Sequence, residues 1–98
     1  MLNAKIIFLS LLVDITQIEE LTLPIDDGSN IKNILEQLSL KFGKKFEDLI
    51  FKASENLSKY VIVTINGKDI RTLDGLKTKI QLDDEICFIP AIAGGNPI

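Results

Sequence analysis

The chain has 98 residues, with 14 acids, 11 bases, one cysteine and no histidine or tryptophan. That length holds one domain at most, and a lone cysteine makes no internal disulfide. Without histidine, a Cys/His zinc site is excluded, as are Ser-His-Asp and Cys-His catalysis, and a net charge of −3 with no basic run speaks against nucleic acid as the main partner.

The first element begins near Ala4. Lys5 precedes an apolar run from Ile6 to Val13 that looks like a signal-peptide core. Asp14 ends the run, no small-x-small cleavage site follows, and it is too short to span a bilayer. Residues 4–13 therefore read as a strand buried on both faces. No membrane association is expected, and the location expected is cytoplasmic. Ile18 to Ile25 reads as the second strand, with Leu21, Leu23 and Ile25 alternating with Glu20, Thr22 and Pro24. Pro24 cannot donate to a ladder and suits an edge or a strand end. The first two strands are expected to pair antiparallel.

Asp26 to Asn30 is a turn into a helix, with Ser29 or Asn30 as the cap. Asp26 and Asp27 read as acids complementing the helix start. Ile31, Ile34, Leu35, Leu38 and Phe42 form one apolar stripe, and Gly43 stops the helix. Phe46, Leu49, Ile50, Ala53 and Leu57 fit a short second helix over residues 46–57. Tyr60 to Ile65 is a strand rich in β-branched residues. Asn66-Gly67 is the preferred pair for a type I′ hairpin turn, with Lys68 to Ile70 as a short return strand. Residues 72–80 read as a loop with a possible helical turn, and Glu85 to Ile89 as the last strand, closed by Pro90.

One amphipathic helix must pack across one face of a sheet, which makes two layers around one core. The first and last strands are the most apolar, so they belong at the centre, side by side and parallel. This is an α+β chain with the β-grasp, or ubiquitin-like, roll: four to five strands in a mixed sheet on one main helix. Residues 1–90 form the domain. Residues 91–98 form a flexible tail without periodicity. Cys87 reads as a buried structural thiol. Asp83, Asp84 and Glu85 read as a solvated turn, and no metal site is expected.

The stretch from Leu82 to Gly95 reads Leu-Asp-Asp-Glu-Ile-Cys-Phe-Ile-Pro-Ala-Ile-Ala-Gly-Gly. It resembles the ending of the MoaD/ThiS family, the small subunit of molybdopterin synthase and the thiazole sulfur carrier. That ending runs roughly Gly-Asp-Glu-Val-x-Phe-x-Pro-Pro-Val-x-Gly-Gly. Asn66-Gly67 after an apolar strand also matches the family's hairpin. The resemblance covers the chain in element order and is specific over residues 82–95. Asp83 replaces a glycine, Ala91 replaces the second proline, and the segment between the hairpin and Asp84 is a few residues longer. Family carriers end at the diglycine, whereas here Asn96-Pro97-Ile98 follow.

The resemblance implies a carrier that is not itself an enzyme and holds no permanent cofactor. A partner enzyme would spend ATP to adenylate the carboxylate of Gly95, and sulfur would then be installed as a thiocarboxylate. Removal of the last three residues by a peptidase cutting between Gly95 and Asn96 must come first. The further partner would be the large subunit of molybdopterin synthase, or another sulfur acceptor. Gly94 and Gly95 suit a narrow channel, because glycine lets another backbone approach closely. Pro90 would release the tail from the sheet. Phe88, Pro90, Ile92 and Ala93 are the candidate partner contacts. Two other readings stand beside the carrier: a protein modifier joined to target lysines through Gly95, and a β-grasp interaction module that is never trimmed.

Overall fold

The computed structural model describes residues 2–9, 12–50, 61–90, 92–93 and 96–97. Strand β1 (Leu2–Phe8) is followed by the short helix α1 (Leu12–Thr16) and strand β2 (Glu20–Ile25). Helices α2 (Ile31–Phe42) and α3 (Lys44–Ile50) come next. Strands β3 (Val61–Ile65) and β4 (Lys68–Asp69) lead into two 3₁₀ turns, Ile70–Thr72 and Gly75–Lys77. Strand β5 (Glu85–Pro90) completes the main sheet, and β6 (Ile92–Ala93) pairs with β7 (Asn96–Pro97) beyond it.

The main sheet has the order β2-β1-β5-β3-β4. β1 and β5 sit side by side and parallel at its centre, in register from Lys5↔Glu85 to Phe8↔Phe88. β2 flanks β1 antiparallel, from Leu2↔Ile25 to Ile7↔Glu20. β3 flanks β5 antiparallel, from Val61↔Pro90 to Ile65↔Ile86. This is the β-grasp arrangement expected from the two apolar strands.

Helix α2 starts where the polar side chains allow it. Asn30 is the cap: its Oδ1 accepts from the Asn33 backbone N–H at 3.0 Å. Asn33 returns the bond, its Oδ1 accepting from the Asn30 N–H at 2.9 Å, which completes a capping box. At the other end Gly43 adopts φ 85°, and its N–H donates to the Ser39 carbonyl at 2.9 Å. Ile31, Ile34, Leu35 and Leu38 are fully buried against Ala4, Ile6, Val63, Ile86 and Phe88 in one core. Phe46 and Ile50 of α3 enter the same core.

Strand one differs from its expected span of 4–13. It ends at Phe8, and Leu12–Thr16 is helical instead. Nor is it buried on both faces. Ala4, Ile6 and Phe8 are buried, while Lys5 is exposed, Ile7 is half-buried and Leu9 is 40% exposed. Leu12 of the same run takes its core position from α1 instead. Gln17 ends that helix in the left-handed region at φ 65°, its N–H bonded to the Val13 carbonyl at 2.7 Å. Strand two is likewise trimmed, to Glu20–Ile25, and Ile70 opens a 3₁₀ turn as a buried residue instead of extending β4. The expected second helix is present from Lys44 to Ile50; residues 51–57 and Tyr60 lie outside the described residues.

One internal polar atom has no counterpart. The Ser39 hydroxyl is buried with no hydrogen-bond partner among the described residues. Burying an unpaired hydroxyl is unfavourable, and alanine is the better helix former. Ser39→Ala is therefore expected to raise stability by about 1 kcal/mol. A higher urea midpoint with an unchanged slope checks this.

Candidate carrier terminus and docking face

Strand β5 carries the site, and its start is held by a polar joint. Asp83 takes φ 64°, the left-handed turn geometry expected where the related ending has glycine. Asp83 and Glu85 are exposed, as expected of a solvated turn, but Asp84 between them is only 8% exposed. One Asp84 carboxylate oxygen accepts from the Gln81 backbone N–H at 2.6 Å, the other from Asn66 Nδ2 at 2.8 Å. Asn66 Oδ1 accepts from the Glu85 N–H at 2.9 Å. Asn66 (φ 52°) and Gly67 (φ 86°) both have the positive φ a type I′ turn requires, so the β3–β4 turn is bolted to the base of β5. A buried carboxylate this well supplied with donors is structural. Among the described residues no group of three or more acids or thiols could hold a metal ion.

The parity of β5 is fixed by its neighbours, and it corrects one expectation. Phe88, a candidate partner contact, is fully buried. Its ring lies 5.5 Å from Phe8 and 6.0 Å from Phe46, centroid to centroid. Residues on alternate positions face opposite sides of a strand, so Ile86 and Phe88 point into the core and Cys87 and Ile89 point out. Phe88 fastens the last strand from inside and cannot touch a partner.

The outward face of the sheet is open. No described element covers it, since α2 and α3 pack on the inward face. Cross-strand pairing places Ile7 and Thr64 beside Cys87, and Ile62 beside Ile89. Ile7, Ile62, Thr64, Cys87 and Ile89 are all half-buried, so they form a semi-exposed apolar patch. Below the patch, Lys5 Nζ lies 3.1 Å from Glu20 and 3.9 Å from Glu85, one cation between two carboxylates. Lys5 two positions before Ile7, and Thr64 two after Ile62, set a polar residue beside an apolar one on this face, which is the signal the sequence carried. It became readable only once the register was known.

Cys87 is half-exposed on this face and not the fully buried thiol expected. Its desolvation, and then the nearby Glu85 carboxylate, raise its pKa above the ordinary thiol value. The thiol is thus held protonated and poorly nucleophilic. Cys87 acts here as a small apolar side chain.

Pro90 is the last residue of β5 and is still in register, opposite Val61. Its missing N–H ends the ladder there, as expected. Beyond it, Ile92 pairs with Pro97 and Ala93 with Asn96, antiparallel. Gly94 and Gly95 fall between these pairs in sequence and lie outside the described residues. A separate shallow groove runs along α2, lined by Asp26, Asp27, Asn33, Glu36 and Leu40 among others. It shares no residue with β5 or its open face. No helix among the described residues is long and apolar enough to cross a membrane.

Known proteins share this arrangement. A family model described as the ThiS family matches residues 6–95. A candidate sulfur carrier protein of Archaeoglobus fulgidus is 31% identical over 65 residues, which span 66% of this chain and 73% of that one. The solution structure of small archaeal modifier protein 1 from Methanosarcina acetivorans matches with a TM-score of 0.82 at 28% identity, over 97% of this chain and 98% of that one. A candidate molybdopterin converting factor subunit 1 from Pyrococcus furiosus matches with a TM-score of 0.77, over 94% of this chain and all of that one. At 13% identity that last likeness is one of fold. With a family match that runs from β1 through the diglycine, this chain belongs to the ThiS family of ubiquitin-like sulfur carriers.

Proposed function

We propose that the chain delivers sulfur from a thiocarboxylate at Gly95, formed after Asn96-Pro97-Ile98 are removed. The observation that carries this reading is the diglycine placed a few residues beyond a central strand that is clamped on both edges. A partner enzyme of the adenylating kind would dock on the open face around Ile7, Ile62 and Ile89. The Gly95 carboxylate would attack the α-phosphate of ATP in that enzyme's site and release pyrophosphate. A sulfur nucleophile would then displace AMP from the acyl carbon and leave the thiocarboxylate. The carrier supplies no acid or base to these steps. A protein without histidine, whose thiol is held protonated, suits that role. The ATP requirement also favours a cytoplasmic location.

The acceptor proposed is the molybdopterin precursor held by a synthase large subunit, on the Phe88-x-Pro90 ending. A second reading has its own support. The Methanosarcina relative at 28% identity is a modifier protein by name, so conjugation of Gly95 to target lysines is the alternative.

Intact-mass spectrometry of the protein from its native cell tests both. A chain ending at Gly95, with one carboxylate oxygen replaced by sulfur, is the expected result. Diglycine remnants on lysines of other proteins would favour the modifier. A full-length chain that stays inert beside its activating enzyme and ATP, even when truncated at Gly95 beforehand, would defeat both and leave an interaction module.

A further inference from the structure

The turn that bolts β3–β4 to β5 has a reactivity of its own. Asn66-Gly67 is the sole Asn-Gly pair in the sequence. In such a pair the glycine nitrogen can attack the asparagine side-chain carbonyl, because no side chain shields it. Here the space beside Gly67 is open, with nothing within 4 Å of where a Cβ would stand.

Two bonds oppose the attack. Asn66 Nδ2 donates to the Asp84 carboxylate at 2.8 Å, and Asn66 Oδ1 accepts from the Glu85 N–H at 2.9 Å. The Asn66 backbone is tied as well, its N–H donating to the Glu85 carbonyl at 2.8 Å. The carboxamide has to leave this joint before its carbon can be reached.

We propose that Asn66 is a deamidation site held in check by Asp84 and Glu85, and that its conversion to a carboxylate uncouples the β3–β4 turn from the start of β5. A bond forms between the Gly67 nitrogen and the Asn66 side-chain carbon. The carboxamide nitrogen leaves as ammonia, carrying the proton from the Gly67 amide. Water then opens the succinimide at either carbonyl, which gives aspartate or isoaspartate, and nothing is oxidised or reduced. The product has lost the N–H that Asp84 accepted. It places a second carboxylate against a mostly buried one, and like charges this close oppose each other. Isoaspartate also lengthens the backbone of a turn that tolerates only two linking residues. The same joint holds the neighbouring central strand, through the Lys5 N–H bonded to the Asp84 carbonyl at 3.0 Å. This inference concerns the folded domain and stands whether or not the carrier reading holds.

The test is to incubate the full chain at mildly alkaline pH, folded and in urea, and to follow residue 66 by peptide mass and isoaspartate-specific methyl transfer. The folded chain is expected to react roughly ten- to a hundredfold more slowly, because two hydrogen bonds, one to a charged group, have to open first. Asp84→Asn keeps an acceptor oxygen but removes the charge, and is expected to speed the folded reaction several-fold. Equal rates folded and unfolded, or no acceleration in Asp84→Asn, would overturn the restraint. Asn66→Asp supplies the product directly. It is expected to lower amide-exchange protection at Lys5 and Glu85 while residues of α2 keep theirs. Wild-type protection at both positions would overturn the uncoupling.

Discussion

Replacing Phe88 with alanine is expected to destabilise the domain by about 3–5 kcal/mol, the usual range for emptying a buried aromatic site. Domains of this size are stable by roughly 5–15 kcal/mol, so the loss brings the protein near its unfolding threshold. The reason lies in the neighbours. Phe8, Phe42, Phe46 and Phe88 form one aromatic cluster with ring centroids 5.5–6.1 Å apart. They come from β1, the end of α2, α3 and β5, so no single element can close over the void. Urea denaturation measures the effect directly, and Phe88→Leu should retain much of the stability because it refills most of the volume. An alanine variant as stable as the parent would mean that the cluster does not fasten β5.

The opposite result is expected one residue further along. Ile89→Asp should cost the fold less than emptying the Phe88 site, about 1–2 kcal/mol, since this side chain is only partly buried and leaves no internal void. Partner affinity should instead fall on the order of a hundredfold, because a charge would be placed in the middle of an apolar contact. Pairing the substitution with Ile62→Asp on the facing strand should add little more, since the two residues share one patch. Calorimetric titration with the activating enzyme reads the affinity, and a parallel thermal melt reads the stability. Undiminished binding in the double variant would remove the open face from the proposed docking surface. Neighbours in sequence, Phe88 and Ile89 would then separate two tasks of β5, holding the fold and, on the proposed reading, meeting the partner.

How much of this could be read from residues alone varied with how local the signal was. Helix α2 was fully legible: Asn30, the apolar stripe and Gly43 all act within a few residues of one another. The β3–β4 turn was legible for the same reason, since Asn66-Gly67 selects its own geometry. The central parallel pair was inferred from two apolar strands and confirmed in register. Strand one was over-extended because apolarity states burial and not conformation. Leu12 is as buried as Phe8, but it is reached through a helix. The side chains of β5 were harder still. Both Phe88 and Ile89 are apolar, and which one faces water depends on pairing with β3, twenty-one or more residues away, and with β1, most of the chain away. Asp84 misled in the opposite sense, since an acid in a turn looks exposed until its partner Asn66 is placed beside it.

The parallel contact between β1 and β5 also has a mechanical meaning. Because the first and last strands of the main sheet run in the same direction, the two ends of the domain leave from opposite poles. A pull between them loads the β1–β5 ladder in shear. The Lys5 N–H to Asp84 carbonyl bond at 3.0 Å and the Leu9 N–H to Phe88 carbonyl bond at 3.1 Å then bear force together, with the bonds between them, instead of opening one after another like a zipper. A machine that grips the tail and drags against the body meets its stiffest resistance at the first step. A tether placed just before Leu2 therefore lies a full strand length from Pro90, at the other end of the β1–β5 pair.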